Sequence, residues 1–178
     1  IPEMKMDLKR LEQIGRRFSK MGTRSDFERL NLSERVERVV EYLNKRLPSI
    51  GKKVNITNDI EQGIFITANG SLLAWAMENI IRNGMDAIDR ENGEITIVLR
   101  KIENKIKIRI KDNGKGIPKK DWKNIFRPGF STKKAGWGLG LSLSNRIIED
   151  IHEGELKIVK STVNAVSYTH LRAHETPA

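Results

Sequence analysis

The stretch that most restricts this chain is "EITIVLRKIENKIKIRIK", residues 94–111, in which apolar and polar side chains alternate on both sides of "ENK". Successive side chains of a strand point to opposite faces, so a period of two fits a strand with one buried and one open side. Two such runs joined by a short polar turn read as an antiparallel hairpin. A sheet with one apolar face needs a second layer to cover it. The helical stretches supply that layer.

"GSLLAWAMENIIRNGMDAID", residues 70–89, is the clearest of them. A second helix is expected from about Ser33, as N-cap, with Val36, Val39, Val40, Leu43 and Leu47 on one face and Pro48 stopping it. Residues 3–21 place Met4, Leu8, Leu11, Ile14, Phe18 and Met21 at spacings of three and four, an amphipathic helix. "TRSDFERLN" reads as a linker, and "KVNIT", "GIFITA" and "GELKIVK" as further strands. The expected fold is α+β, a two-layer sandwich of a sheet with helices on one face, preceded by one amphipathic helix. Residues 164–178 show no sustained period and are expected to lie outside it.

Chemistry concentrates in three places. In "KAGWGLGLSLSNRII", Gly136, Gly138 and Gly140 alternate directly before a helix-like run. Glycine there suits unusual torsions or the close approach of a ligand, and the helix start behind it offers unpaired N–H groups to an anion such as phosphate. A flexible turn before a surface helix explains the same pattern equally well. On the helix from residue 70, Asn79 and Asn83 are four apart and share a face. They either solvate that face or present an amide oxygen to Mg²⁺, which takes few protein ligands and fills its shell with water and phosphate. Between these lies a long polar segment, 113–137, opened by Asp112, Gly114 and Gly116 directly after a strand. Phe126 and Phe130 stand in it as anchors around Pro128-Gly129, and Lys133 is available to a phosphate.

Other classes fit less well. There is no G-x-x-x-x-G-K-[ST] phosphate loop, and the glycines read G-x-G-x-G after a polar segment, not G-x-G-x-x-G after a strand. Cysteine is absent, which excludes disulfides and thiolate metal sites. No run of about 18 apolar residues is present to span a membrane. A net charge of +10 admits nucleic acid, an anionic membrane surface or nucleotide as a partner. Basic residues are mixed with acidic ones along the chain and aromatics are only 6%, so the charge reads mostly as solvated surface, and no nucleic-acid partner is expected. The charged start has no signal-peptide core and no initiator Met, so a fragment is expected.

Taken in order, these segments resemble the ATP-binding domain of sensor histidine kinases, a branch of the superfamily that includes gyrase, Hsp90 and MutL. Asn79-Ile-Ile-Arg-Asn83 looks like the N box, Asp112-Asn-Gly-Lys-Gly116 the G1 box, Phe126 to Phe130 the F box and Gly136-Trp-Gly-Leu-Gly140 the G2 box. The match covers roughly residues 32–162. It implies a mixed, mainly antiparallel sheet, with residues 1–22 as the trailing helix of a dimerisation hairpin, 23–31 a linker and 32–163 the ATP-binding domain. It also implies ATP and Mg²⁺ as cofactors. Asn83 would be the Mg²⁺ ligand, and Asp112 would bind the adenine amino group. Gly114 and Gly116 would let the backbone approach the nucleotide, while Gly136, Gly138, Leu139 and Gly140 would cradle phosphates. Phe126 and Phe130 would latch a lid over 113–137, and Asn79, Asn83 and Lys133 would serve catalysis.

The implied reaction is transfer of the ATP γ-phosphoryl group to a histidine of the dimerisation hairpin. A response regulator would act downstream, in a homodimer with cytoplasmic catalytic domains and any membrane anchor upstream. Asn79 stands where the ATPase branch places a Glu base, and an amide cannot take a proton, so transfer to histidine is favoured over ATP hydrolysis. A nucleotide-binding module without transfer activity is the alternative. His152 reads as structural, and "HETP" at His174–Pro177 is rejected as a phosphoacceptor motif on spacing and position. Two departures stand out. Asp86 and Ala87 replace a Lys and an aromatic of many relatives, and the family's closing Gly-Thr-x-Phe strand is replaced by "AVSYTHLRAHETPA", which looks like foreign or read-through sequence.

Overall fold

The computed structural model describes residues 26–50, 53–89, 91–131, 138–162 and 165–172. The helix expected over 3–21 lies outside them, as do Lys133 and Gly136. The elements run β1 (Glu28–Asn31), α1 (Leu32–Ile50), β2 (Val54–Ile60), β3 (Phe65–Ala68), α2 (Gly70–Ala87), β4 (Gly93–Ile102) and β5 (Lys105–Asp112). After the 113–137 segment come α3 (Gly140–Arg146), a π turn (Ile147–Ile151), β6 (Glu155–Thr162) and β7 (Ala165–Arg172).

The hairpin is as expected: β4 and β5 pair antiparallel without a break from Ile95↔Asp112 to Ile102↔Lys105. Glu103 takes φ +54 at the turn between them. Alternation then sorts the side chains, with Ile95, Ile97, Leu99, Ile106, Ile108 and Ile110 all buried on one face. The main sheet has the order β2-β4-β5-β7-β6, and β2–β4 is its parallel pair. α2 covers the apolar face with Leu72, Leu73, Ala76, Met77, Ile80 and Ile81, alongside the stripe of α1 from Val36 to Leu47. The fold is therefore the α+β sandwich read from the sequence. Among the described residues no helix is long and apolar enough to cross a membrane.

Four local expectations are corrected. The stretch read as a linker ends in β1, which pairs with β3 as a separate two-stranded ribbon and buries Leu30. The N-cap of α1 is Asn31, not Ser33. Asn31 Oδ1 accepts from the Glu34 N–H (3.3 Å) and its Nδ2 donates back to the Glu34 carboxylate (3.0 Å), a reciprocal cap. Ser33 is buried instead, donating to the Glu61 carbonyl (2.7 Å) and accepting from the Ile64 N–H (3.1 Å), which ties α1 to the β2–β3 connection. Pro48 lies inside α1. Near a C-terminus a proline removes one backbone hydrogen bond, which the packed stripe outweighs.

The fourth correction is the tail. Residues 165–172 are not outside the fold but form β7 between β5 and β6. A ladder is built from backbone N–H and C=O groups, so a segment rich in Val, Tyr and Thr can fill a strand position without the periodicity that would have announced it. Its pairing is irregular: the register against β5 shifts between Ile106 and Lys111, and against β6 it shifts twice.

One buried polar junction locks the helical layer. The π turn ends at His152, whose N–H reaches back to the Ile147 carbonyl (3.2 Å). Its Nδ1 donates to the same carbonyl at 2.7 Å, and Nε2 accepts from the backbone N–H of Asn69 at 3.1 Å. Asn69 is the N-cap of α2, its side chain accepting from the Leu72 N–H at 3.0 Å. Phe27 stacks on the imidazole with centroids 5.0 Å apart. The ring is thus held neutral, in a structural role, and burial pushes its pKa down.

A depressed histidine pKa means that the unfolded chain takes up the proton first as pH falls. The stabilisation is complete above the unfolded value of about 6.5 and is lost as pH drops through the folded value. The melting temperature should therefore fall between pH 7.5 and 5.5. A His152→Phe variant, which keeps the stack but leaves the Asn69 N–H without its acceptor, should lose about 1–3 kcal/mol and flatten that pH dependence. Thermal melts across this range check both.

Candidate functional site

The end of β5 delivers Asp112 to the C-terminal half of α2. Asp112 is only 2% exposed, and its Oδ1 accepts from the Gly114 N–H at 2.9 Å. Among the described residues no Lys, Arg or His pairs with it. Burial pushes its pKa up, and the Gly114 N–H offsets this in part. A buried carboxylate without a cation is costly unless something donates to it.

Two glycines make room for that carboxylate. Gly84, inside α2, faces it so closely that an added Cβ would sit 3.2 Å from Asp112 Cβ and 3.3 Å from Oδ2. Gly114 leaves no room at all, because a Cβ there would be 2.6 Å from the Ala87 carbonyl oxygen. The same carbonyl accepts from the Lys115 N–H (3.0 Å), so the backbone of Ala87 fastens the start of the 113–137 segment to the end of α2. Gly116 follows with φ +73.

One turn before Asn83 on α2 stands Asn79, whose Nδ2 is buried with no hydrogen-bond partner among the described residues. Leaving such a donor unsatisfied costs about 1–3 kcal/mol, so this amide is a feature to explain. Gly140, the first residue of α3, lies against it: a Cβ there would be 4.0 Å from Asn79 Cβ and Cγ. The N-cap position of α3 is Leu139, which makes no side-chain cap. The buried Ser144 then pins α3 to α2, its hydroxyl facing the Ala76 carbonyl (3.2 Å) and the Gly140 carbonyl (3.0 Å).

The segment after Gly116 is anchored. Trp122 Nε1 donates to the Ile117 carbonyl (3.0 Å), Ile125 is buried, and Phe126 and Phe130 are half-buried against the core. Its far side is tied where Gly129 N–H donates to the Gly138 carbonyl (3.1 Å). Gly138 has φ +64, and a Cβ would fall 2.5 Å from both Gly129 C and Phe130 O.

Of the residues selected from sequence, Asn79, Asn83, Asp112, Gly114, Gly116, Phe126, Phe130, Gly138, Leu139 and Gly140 therefore fall on α2, the end of β5 and the two sides of one segment. Lys133 and Gly136 lie outside the described residues. Three contributors were missed: Gly84, Ser144 and the Ala87 carbonyl. Gly84 had a signal, since a glycine inside a helix costs about 1 kcal/mol and asks for a packing reason. The other two act through contacts that sequence spacing does not reveal. Among the described residues no group of three His, Asp or Glu side chains could hold a metal ion.

Residues 68–175 match the family model described as histidine kinase-, DNA gyrase B- and HSP90-like ATPase. Sporulation kinase C of Bacillus subtilis (strain 168) is 40% identical over 96 residues, 54% of this chain and 22% of that protein. The signal transduction histidine-protein kinase AtoS of Escherichia coli (strain K12) is 30% identical over 147 residues, 82% of this chain and 24% of that protein. The chain thus spans between a fifth and a quarter of these relatives' length. The catalytic domain of histidine kinase ThkA superposes with a TM-score of 0.71 at 24% identity, covering 83% of this chain and 95% of that one. A ThkA structure in complex with the response regulator protein TrrA gives 0.75 at 21% identity, covering 95% of this chain and 49% of that one.

The geometry at Gly138 makes its own prediction. A left-handed backbone costs a non-glycine residue about 1–2 kcal/mol, and here the added methyl also meets backbone that cannot step aside. Gly138→Ala should release the Gly129–Gly138 tie. Amide exchange at Gly129 should accelerate about tenfold or more, while the β4–β5 amides keep their protection.

Proposed function

Because the chain belongs to the histidine kinase-, DNA gyrase B- and HSP90-like ATPase family, we propose that residues 32–163 bind Mg·ATP as the catalytic module of a sensor histidine kinase. The observation that carries this reading is Asp112: a buried carboxylate with no cation among the described residues, packed against two glycines, Gly84 and Gly114, that leave no side chain over it. Such a group suits an N–H donor on a flat ligand, as the exocyclic amine of adenine provides. The Asn79 amide, unpartnered among the described residues and lying against Gly140, supports a polar ligand on that side as well.

In this reading Asp112 accepts from the adenine amine, and Gly114 and Gly116 let the backbone close on the nucleotide. Gly136, Gly138, Leu139 and Gly140 turn backbone N–H groups toward the phosphates, and Lys133 adds a charge there. Phe126 and Phe130 hold the covering segment down. Asn83 offers a neutral amide oxygen, a hard donor that suits Mg²⁺, with water and phosphate filling the other positions. When bound, Mg²⁺ would neutralise charge on the phosphate oxygens. Asn79 cannot accept a proton, which fits transfer to a neutral imidazole carrying its own lone pair better than activation of water.

The acceptor histidine would lie on a dimerisation hairpin whose trailing helix is residues 1–22. A response regulator would take the phosphoryl group next. The complete protein would be a homodimer with this module in the cytoplasm, held at the inner membrane, where it is held at all, by segments upstream.

The test is calorimetric titration of Mg·ADP into the chain and into Asp112→Asn. The chain should bind in a Mg²⁺-dependent way, and the variant should lose about 10- to 100-fold in affinity, the worth of a hydrogen bond to a charged group. Its folding should not suffer. A carboxyl whose folded pKa is raised destabilises the fold once ionised, and the amide removes that burden. Asp112→Asn should therefore melt no lower at pH 7. Equal affinity in both proteins would refute the adenine site. With a hairpin domain supplied, phosphohistidine should form; ATP binding without it would leave a module that lacks transfer activity.

A further inference from the structure

Four of the basic residues that look dispersed in the sequence share one surface. On β5, Lys105, Lys107, Arg109 and Lys111 alternate with the buried isoleucines and so stand on the open face of the sheet, about 7 Å apart along one strand. None of the four side chains has a hydrogen-bond or ion-pair partner among the described residues. Register brings β4 alongside, with Thr96 opposite Lys111 and Val98 opposite Arg109. Two of the few large apolar side chains exposed in the described chain share this face, Ile102 on β4 (45% exposed) and Val159 on β6 (50%). Two of the acids on it are already engaged, Asp59 with Arg100 and Glu155 with Lys157 (2.9 Å), and Glu94 stands at its far edge beyond Thr96.

We propose that this open sheet face is an interaction surface for an anionic phospholipid bilayer. The shape argues for a plane: a sheet face too broad for a nucleic-acid groove, which admits one helix or a two-stranded ribbon. Single-stranded nucleic acid is bound on aromatic platforms, and β5, which carries the cationic row, and its neighbour β4 hold no aromatic residue. An unpaired row of cations flanked by exposed aliphatic side chains instead matches the two requirements of an interfacial binder: attraction to anionic headgroups and a little apolar area to bury among them. The surface is carried by the face of β5 opposite to the nucleotide site, so the proposal does not rest on nucleotide binding.

The experiment is co-sedimentation of the full chain with vesicles of phosphatidylcholine alone, and of phosphatidylcholine with one third phosphatidylglycerol. Binding is expected to the anionic vesicles only, and to weaken steeply as salt rises from ~0.05 to ~0.5 M. Lys107→Gln with Arg109→Gln should reduce partitioning about 25-fold, near fivefold per cation removed. The charge-preserving pair Lys107→Arg and Arg109→Lys should retain it. Arg38→Gln with Lys45→Gln, which removes equal charge from the exposed side of α1, should leave binding unchanged. No binding to anionic vesicles overturns the proposal, as does an equal loss in the α1 control. Tighter binding of a DNA duplex, or of an acidic polypeptide, with the same dependence on Lys107 and Arg109 overturns it in favour of that partner.

Discussion

The packing of α2 on the strands is the contact from which the rest of this domain takes its geometry. Leu72, Leu73, Ala76, Met77, Ile80 and Ile81 bury one side of the helix against the isoleucines of β4 and β5. Burying such a side chain contributes about 1.5–3 kcal/mol, so this layer outweighs any single polar contact in the molecule. It also fixes the depth at which the helix sits. At that depth the end of β5 meets Gly84, and only a residue without a side chain leaves Asp112 its position. Hydrophobic burial thereby sets the placement of a carboxylate whose own burial is unfavourable.

Polar groups then hold what burial has positioned. His152 reaches the start of α2 through Asn69, Ser144 reaches its middle through Ala76, and the Ala87 carbonyl receives Lys115 at its end. The helix is gripped at three heights, each time by a neutral backbone or side-chain contact. None of the three places a charge near Asp112 or Asn79. Among the described residues, Asp112 is left without a cation and the Asn79 amide without a hydrogen-bond partner.

The sequence made the layer visible and left the grips hidden, for a physical reason. Alternation in β4 and β5 and the apolar stripes of α1 and α2 are periodic, so burial writes them into the chain directly. The glycines at 114, 138 and 140 and the carboxylate at 112 could be read because unusual backbone and a titratable group after a strand are local signals. Gly84 carried the same kind of signal in a helix and was overlooked. His152 and Ser144 could be assigned no partner, since their partners lie 83 and 68 residues away. β1 is four residues long, too short for a period to declare itself. β7 was missed because strand pairing is satisfied by backbone atoms that every sequence possesses, and its register shifts against both neighbouring strands. The basic face escaped for the opposite reason: a count along the chain mixes cations with their neighbours, whereas a strand separates odd from even positions.

The π turn at Ile147–Ile151 has a consequence of rotational phase. An α-helix advances about 100° per residue, so one additional residue in a turn swings everything after it through that angle while the residues before it stay put. Here Leu143, Ser144, Ile147 and Ile148 keep their inward orientation, and the widened turn brings the imidazole of His152 round to the cap of α2. The last turn thus works as a phase adjuster between two docking surfaces that a uniform helix could not satisfy together. Length is therefore more tightly constrained in this turn than composition. Exchanging one aliphatic residue for another leaves the angle intact, but removing a single residue would point the ring away from Asn69 and misalign the entry to β6.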